Sequence, residues 1–215
     1  MEQDTQAKKV EVHPDSLRTK LPDLISRFSR LLTVAEKLNG AQIEWYIGGS
    51  ACLYVLGNDR IPQNIDMYIS DEAHDSADAL FGVTSHEYTW ESHSARNSIP
   101  YTIGGTLRLI SKLQFKLPGG HYSYRMSELT RTHKIHLQYK DIDFYLAPPE
   151  DVIIIKSLQY HTDTLQRHRH GVDISHFKKT HTLDQEYIAA KSAEISQTSA
   201  SGIAIPEIPT IHKQY

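Results

Sequence analysis

Apolar residues recur at helical spacing between residues 21 and 38 of the chain and in short alternating runs after that. Over residues 15–39 the pattern predicts one long amphipathic helix, capped by Asp15 or Ser16 and stopped by Gly40. The face predicted to be buried carries Leu21, Leu24, Ile25, Phe28, Leu31, Leu32, Ala35 and Leu38. A stripe of this kind is typical of a helix that packs one side against a core.

Short runs after Gly40 predict a strand, a helix and a second strand in close succession. The first strand covers about residues 43–47, the helix follows Gly49 and reaches about Leu56, and the second strand covers about residues 65–70. An acidic helix over residues 71–81 follows. This alternation predicts an α+β (α/β-like) fold in which helices flank a mixed β-sheet.

The middle of the chain is predicted to be mostly β-structure. Strand candidates lie at residues 84–90, 96–101, 106–110, 112–117, 121–126, 133–139 and 141–146. The turn at residues 118–120 joins two of them as a hairpin. Pro148 and Pro149 then open a C-terminal helical part, with further helices near residues 172–179 and 184–195.

This pattern divides the chain into three predicted parts. Residues 1–147 form a core that includes the N-terminal helix, and residues 1–14 are expected to be a loose arm. Residues 148–195 form the helical part. Residues 196–215 are predicted to be either a disordered tail or an extended strap.

Composition adds few constraints on function. The chain has 215 residues, 39% of them hydrophobic, which is enough for one globular domain. Its net charge of -3 does not indicate a nucleic-acid partner. Cys52 is the single cysteine and no apolar run is long enough for a signal peptide or a membrane span, so we expect a cytoplasmic protein with a buried thiol. The 13 histidines include no zinc signature and are expected at surface or capping positions.

Candidate chemistry concentrates in residues 45–69. Gly48 and Gly49 expose the backbone where the chain leaves the first strand, and Ser50 lies near the start of the next helix, where an anion is favoured. Asn64 and Asp66 are two apart on the second strand, so they point to the same side. Together these residues predict a phosphate site beside a strand that carries a carboxylate.

This stretch resembles the nucleotidyltransferase fold superfamily, the polymerase-β-like group that includes antibiotic adenylyltransferases and toxins of type IV toxin–antitoxin systems. Their pattern is Gly-Gly-x-Ala, then Gly and Arg, then x-[Ser/Thr]-x-Asp-x-Asp. The positions that match are Gly48, Gly49, Ala51, Gly57, Arg60 and Asp66. Two positions depart from it: Pro62 stands where Ser or Thr is usual, and Asn64 stands where the first Asp is usual.

A second part of the resemblance lies in the C-terminal half. In the relatives, a strand with the third carboxylate runs into a helix opened by Pro-x-Asp that carries a Lys, and Asp143 and Lys156 match those places. Asp141 shares a strand face with Asp143 and is the alternative third acid. The segment 167–174 resembles a further motif of the relatives, with Arg169 in place of Lys and His170 in place of Asp.

The resemblance implies Mg²⁺-dependent transfer of a nucleoside monophosphate from a nucleoside triphosphate to an unknown acceptor. In that reaction Asp66 bridges metal and triphosphate, and Asp143 positions or deprotonates the acceptor hydroxyl, with Asp141 as a further metal ligand. The nucleotide-binding candidates are Gly48, Gly49, Ser50, Arg60 and Lys156. Arg60 has the alternative of holding a loop carbonyl, and Lys156 that of lying on a helix surface.

Asn64 leaves three hypotheses open, because an amide oxygen brings no charge to a metal site. The protein is an enzyme whose altered site uses Asp141 or Asp143 to compensate. Alternatively, it binds a nucleotide or a partner without turnover. In the third hypothesis, the fold serves a different small-molecule reaction.

Overall fold

The computed structural model describes residues 14–91, 93–102, 104–117 and 120–196. The expected N-terminal arm and, from residue 197 onward, the predicted tail or strap lie outside the described residues. Among the described residues, no helix is both long and apolar enough to cross a membrane.

The described helices and strands alternate along the chain. The helices are α1 (Pro14–Arg27), α2 (Leu31–Gly40), α3 (Gly49–Val55), α4 (His74–Phe81), α5 (Glu128–His133), α6 (Pro149–Thr162), α7 (Arg167–Thr180) and α8 (Gln185–Ile195). The strands are β1 (Trp45–Ile47), β2 (Asn64–Ile69), β3 (His86–Trp90), β4 (His93–Tyr101), β5 (Thr106–Leu117), β6 (Gly120–Tyr124), β7 (Ile135–Tyr139) and β8 (Ile142–Leu146).

All these strands belong to one mixed sheet in the order β3-β4-β5-β2-β1-β8-β7, with β6 paired to the far half of β5. β1 is antiparallel to β2 and parallel to β8, while β2 is parallel to β5. At the centre, Ile47 lies between Met67 and Leu146, and all three side chains are fully buried. The predicted α+β fold with a mixed sheet is therefore confirmed.

The predicted single helix over residues 15–39 is wrong, because the chain turns between α1 and α2. Phe28 and Ser29 lie in that turn, against Gly105 and Gly104: a Cβ on Gly105 would lie 2.3 Å from the Phe28 ring, and one on Gly104 would lie 2.1 Å from Ser29 Oγ. The turn therefore packs against a glycine pair that is distant in sequence, and the apolar spacing continues through it unchanged.

Two further corrections concern the middle of the chain. The strands predicted at 106–110 and 112–117 are one strand, β5, in which Lys112 takes a left-handed conformation with φ 50°. The short helix α5 was not predicted, since six residues are too few to show a period. Its signal was the cap, in which the Ser127 hydroxyl accepts a hydrogen bond from the Thr130 amide.

A buried carboxylate ties the C-terminal helices to the sheet. Asp151 of α6 has no solvent exposure and accepts hydrogen bonds from the hydroxyls of Tyr124, Thr130 and Tyr187, at 2.5, 2.8 and 2.8 Å. These donors come from β6, α5 and α8. Tyr124 also shares a hydrogen bond of 2.7 Å with Tyr46 of β1. The C-terminal helices are therefore held on one face of the sheet.

Replacing Asp151 with Ala should destabilise the protein by at least about 3 kcal/mol, because three buried hydroxyls would lose their acceptor. Tyr187→Phe removes a single donor and should cost only about 1 kcal/mol. Urea unfolding of both variants measures the difference. Equal losses for the two would contradict the central place given to Asp151.

Candidate functional site

A cleft of about 350 Å³ opens where β1 ends and β2 begins, below α6 and α7. Among the described residues that line it, the cationic side chains are Arg60, Arg108, Lys156 and Arg169, and the carboxylates are Asp66 and Asp163. Gly49, Ser50 and Asn64 also line it. The structure therefore brings the predicted glycine turn, Asn64, Asp66, Arg60 and Lys156 together.

The two glycines are required by what lies against them. A Cβ on Gly48 would lie 2.4 Å from the ring of Tyr68, so no side chain fits between the end of β1 and β2. Gly49 has a left-handed φ of 56°, and a Cβ there would lie 3.0 Å from Asp66 Oδ2. The turn thus brings the backbone directly beside the carboxylate, as the sequence predicted.

Ser50, Arg60 and Lys156 converge on the buried carboxylate of Asp173, which lies in the segment 167–174 that resembles a motif of the relatives but for which no role was predicted. Asp173 of α7 is 2% exposed; Arg60 Nε donates to its Oδ1 at 2.7 Å, and Lys156 Nζ lies 2.6 Å from its Oδ2. Arg60 Nη2 contacts the same Oδ2. The Ser50 hydroxyl accepts from Arg60 at 2.6 Å and from Lys156 at 3.1 Å. We name Ser50, Arg60, Lys156 and Asp173 the Asp173 cluster.

The charges in this cluster depend on one another. Burial acts to raise the pKa of Asp173, but the hydrogen bonds from Arg60 and the charge of Lys156 outweigh it and hold the pKa below its usual value. Burial lowers the pKa of Lys156, and Asp173 opposes that effect. Lys156 is only 3% exposed, so the alternative of a helix-surface lysine is wrong. Arg60 likewise holds a carboxylate and a hydroxyl, whereas the alternative gave it a loop carbonyl.

Asp66 forms an ion pair with Arg108, a residue that the sequence analysis missed. The two are paired in register on the parallel strands β2 and β5. Arg108 Nε donates to Asp66 Oδ1 at 2.7 Å, and its Nη2 lies 2.5 Å from the same oxygen. The charge of Asp66 raises the pKa of Arg108. The alternation Thr106-Leu107-Arg108-Leu109 did mark Arg108 as the polar-side residue of its strand, but not which strand it would face.

The predicted convergence of Asp143 with Asp66 is wrong. Asp143 lies on β8 with its carboxylate 2.8 Å from His136 Nε2, two strands from β2 and near the opposite end of β1. Strand spacings put the two acids on the order of 16 Å apart. Asp141 is exposed in the β7–β8 turn, with φ 63°, and is no nearer. Asp66 and Asp143 do lie on the same face of the sheet, but a shared face does not fix where each residue lies along its strand.

The residues of the cleft do not fit a Mg²⁺ ion. Among the described residues, no group of three or more His, Cys, Asp or Glu side chains could hold a metal. Asp66 already has a cation at its Oδ1, and Asn64 offers only a neutral amide beside it. Mg²⁺ needs several oxygen ligands around one point, and the nearest cross-strand neighbour of Asp66 is an arginine.

The start of α7 supplies two further lining groups. Arg169 Nη1 donates to the side-chain oxygens of Gln166 at 3.0 Å and Gln63 at 3.3 Å. His170 Nε2 lies 3.6 Å from Asp163, and neither ring nitrogen makes a hydrogen bond to a described residue. Burial, together with the nearby charge of Lys156, lowers the pKa of His170 to about 4, so the ring is neutral at pH 7. His170 is thus a partly buried cleft residue, which corrects the expected surface or capping role.

An aromatic pair lies at another part of the cleft. Tyr88 of β3 and His93 of β4 both line it, with ring centroids 6.4 Å apart. They share a face of the sheet because His93 pairs with Trp90, two residues from Tyr88. Tyr88 is 46% exposed. Neither residue carried a recognisable motif.

The chain matches no protein-family model, and a comparison with curated proteins finds no match. Similar solved structures include a provisionally assigned nucleotidyltransferase from Thermotoga maritima, 14% identical, covering 66% of this chain and 82% of that one, with a TM-score of 0.47. The antibiotic-resistance factor ANT(2'')-Ia is 12% identical over 82% of this chain and 91% of its own, also with a TM-score of 0.47.

A third similar structure is an antigenic nucleotidyltransferase-like protein from Paracoccidioides brasiliensis. It is 15% identical, covers 69% of this chain and 73% of its own, and has a TM-score of 0.40. The three descriptions agree with the resemblance in the sequence. At these identities and TM-scores they carry no conclusion about ligand or reaction, and the chemistry of the cleft follows from its own residues.

Asp173→Asn should destabilise the protein by about 3 kcal/mol, because it leaves the buried ammonium of Lys156 without its counter-charge. The control is the double variant Lys156→Met/Asp173→Leu, which removes both buried charges and should recover most of that loss. Urea unfolding at pH 7 measures both. A loss below about 1 kcal/mol for Asp173→Asn would contradict the interpretation.

The partly buried, neutral His170 should make the free energy of unfolding depend on pH. Its folded pKa of about 4 lies below the usual value of 6.5, so below pH 6.5 the unfolded chain binds a proton that the folded chain does not. The stability that depends on His170 is therefore lost as the pH falls from 6.5 toward 4. Between pH 7 and about pH 4.5, the wild type should lose about 2 kcal/mol more than His170→Gln in urea unfolding. Identical losses would contradict this.

Proposed function

We propose that this chain is a nucleotidyltransferase-like protein that binds a nucleoside phosphate in the cleft and does not transfer the nucleotidyl group. The observation that carries the proposal is the charge of the cleft. The whole chain has a net charge of -3, yet among the described residues lining the cleft four cationic side chains face two carboxylates. With the buried Asp173 counted as well, the positive charges still exceed the negative ones.

Arg169 is the best candidate for a direct phosphate contact. Arg60 and Lys156 are held by Asp173, and Arg108 is held by Asp66. Arg169, by contrast, donates to two neutral glutamine oxygens among the described residues, so its charge is not balanced by a carboxylate there. A guanidinium in that state is suited to bidentate binding of a phosphate.

The nucleoside part of the ligand is assigned to the aromatic side of the cleft. Tyr88 and His93 offer ring faces for a base to stack on, which is a sequence-tolerant mode of recognition. The volume of about 350 Å³ is at the lower end of the range for small-molecule sites and suits a single nucleotide. In this proposal a phosphate contacts Arg169 of α7, and the base lies near β3 and β4.

Transfer from a nucleoside triphosphate is the alternative, and the donor set does not favour it. Nucleotidyl transfer in the resembling superfamily depends on carboxylates gathered around Mg²⁺. In this chain, Asp66 is paired with Arg108, Asn64 is uncharged, and Asp143 lies on a strand two places away. Binding through fixed cations needs none of those carboxylates to be free.

Arg169→Ala should weaken binding of ATP by about 10- to 100-fold, because it removes a charge-assisted contact to phosphate. The matched control is Arg167→Ala, two residues earlier on α7. Arg167 donates to the Tyr160 carbonyl oxygen at 3.0 Å and does not line the cleft, so that variant should bind like the wild type. Calorimetry on purified protein, after a thermal-shift panel of nucleoside mono-, di- and triphosphates, measures the affinities.

The same samples test the second half of the proposal. With ATP labelled at the α-phosphate and candidate acceptors present, the wild type should release no pyrophosphate and label no acceptor. Equal affinities for the Arg169→Ala and Arg167→Ala variants would contradict the binding mode. Pyrophosphate release together with a labelled acceptor would establish the transferase alternative in place of the proposal.

A further inference from the structure

Three residues meet on one face of the sheet at the mouth of the cleft. Asn64 and Asp66 are two apart on β2, and Arg108 is the in-register neighbour of Asp66 on β5. Their side chains share that face because residues two apart on a strand, and residues directly across a ladder, point to the same side. A set with acids at all three places would be a metal site. Here the set is one amide, one carboxylate and one guanidinium.

We infer that Arg108 takes the place of a divalent cation in this cleft, with its guanidinium bridging the Asp66 carboxylate and a phosphate of the bound ligand. The inference rests on the proposed function, which supplies the phosphate. It deepens that proposal by naming the group that makes binding independent of metal.

In the Arg108–Asp66 ion pair, the Nη1 side of the guanidinium is left for a ligand. Both contacts to Asp66 Oδ1 come from Nε and Nη2, and Nη1 makes no hydrogen bond within the described part of the chain. The side chain of Arg108 is 32% exposed and that of Asp66 is 18% exposed, so the pair is accessible from the cleft. A guanidinium carries five N–H donors in a planar fork and can hold two anions at once.

The pair also opposes entry of a metal ion. Asp66 raises the pKa of Arg108, which is a strong base already, so the guanidinium stays charged over any working pH. A divalent ion at Asp66 would have to displace that positive charge or lie beside it, and like charges at contact distance repel strongly in a partly buried site. The site thus holds one fixed positive charge and has no ligand set to exchange it for Mg²⁺.

The substitution has a chemical consequence for the bound phosphate. A guanidinium neutralises phosphate charge and fixes its orientation by hydrogen bonds. It does not coordinate an acceptor hydroxyl and lower its pKa, which is what a bound divalent ion does. A site built on Arg108 therefore binds a phosphoryl group without activating a nucleophile for it.

The first experiment uses a metal alone, with no nucleotide. Wild-type protein and the double variant Asn64→Asp/Arg108→Asp are titrated with Mn²⁺, and free Mn²⁺ is followed by electron paramagnetic resonance. The wild type should bind no Mn²⁺ at this site. The double variant places three carboxylates on adjacent strands and should bind Mn²⁺ at least about tenfold more tightly. Wild-type Mn²⁺ binding that Asp66→Asn abolishes would overturn the inference.

The second experiment measures ATP binding and needs no variant for its main arm. Wild-type affinity should be the same within about twofold in EDTA and in excess Mg²⁺, apart from the small effect of Mg²⁺ on ATP charge. A loss of about tenfold or more in EDTA would overturn the inference while leaving nucleotide binding, and hence the proposed function, in place. An absence of ATP binding under both conditions would overturn the proposed function, and the Mn²⁺ titration would still decide whether the site can hold a metal.

Arg108→Ala separates a ligand role from a purely structural one. It should weaken ATP binding by about tenfold or more. The matched control is Arg131→Ala, which breaks another arginine–carboxylate pair, the 2.7 Å contact of Arg131 with Glu44 outside the cleft, and should leave affinity unchanged. If Arg108→Ala lowers the unfolding midpoint but not the affinity for ATP, the pair is structural only and the inference is wrong.

Discussion

The buried carboxylate of Asp173 is the constraint on which the cleft depends. It lies on α7 and holds Lys156 of α6 and Arg60 of the loop before β2, while Ser50 of α3 joins them through its hydroxyl. Four separate segments are thereby fixed around one negative charge that water cannot reach. Because two cations share that charge, the cluster is fully bonded yet still leaves the cleft more positive than the chain as a whole.

A second ion pair decides what this positive cleft can do. Asp66 stands beside the glycine turn, where a carboxylate could hold a metal, but Arg108 lies across from it on β5. The glycine turn therefore matches the pattern of the resembling superfamily, whereas the charged side chains beside it do not form a metal site. The turn at Gly48 and Gly49 brings the backbone beside the Asp66 carboxylate, whereas Arg108 occupies the position across from that carboxylate, and our proposal of phosphate binding without transfer rests on this difference.

Much of the fold was predictable, because strands and helices are encoded by local spacing. The central elements β1, α3 and β2 lie close to their predicted places, and α8 covers nearly the predicted residues, with Asp184 as its N-cap. Errors occurred where a distant contact overrides the local pattern. The turn at Phe28 packs against Gly104 and Gly105, and within the continuous strand β5 the left-handed Lys112 donates its amide to the distant Asp71.

The sequence by itself determined the glycine turn and the shared face of Asn64 and Asp66, and it made Arg60 and Lys156 site candidates, each with an alternative that only the structure removed. Those features follow from backbone periodicity and from motif order along the chain. Only the tertiary structure decided that Arg108 is the partner of Asp66 and that Asp143 is not. The physical reason is that alternation fixes which face a side chain occupies, whereas strand order and register, which fix its neighbours, are set by contacts between residues far apart in sequence.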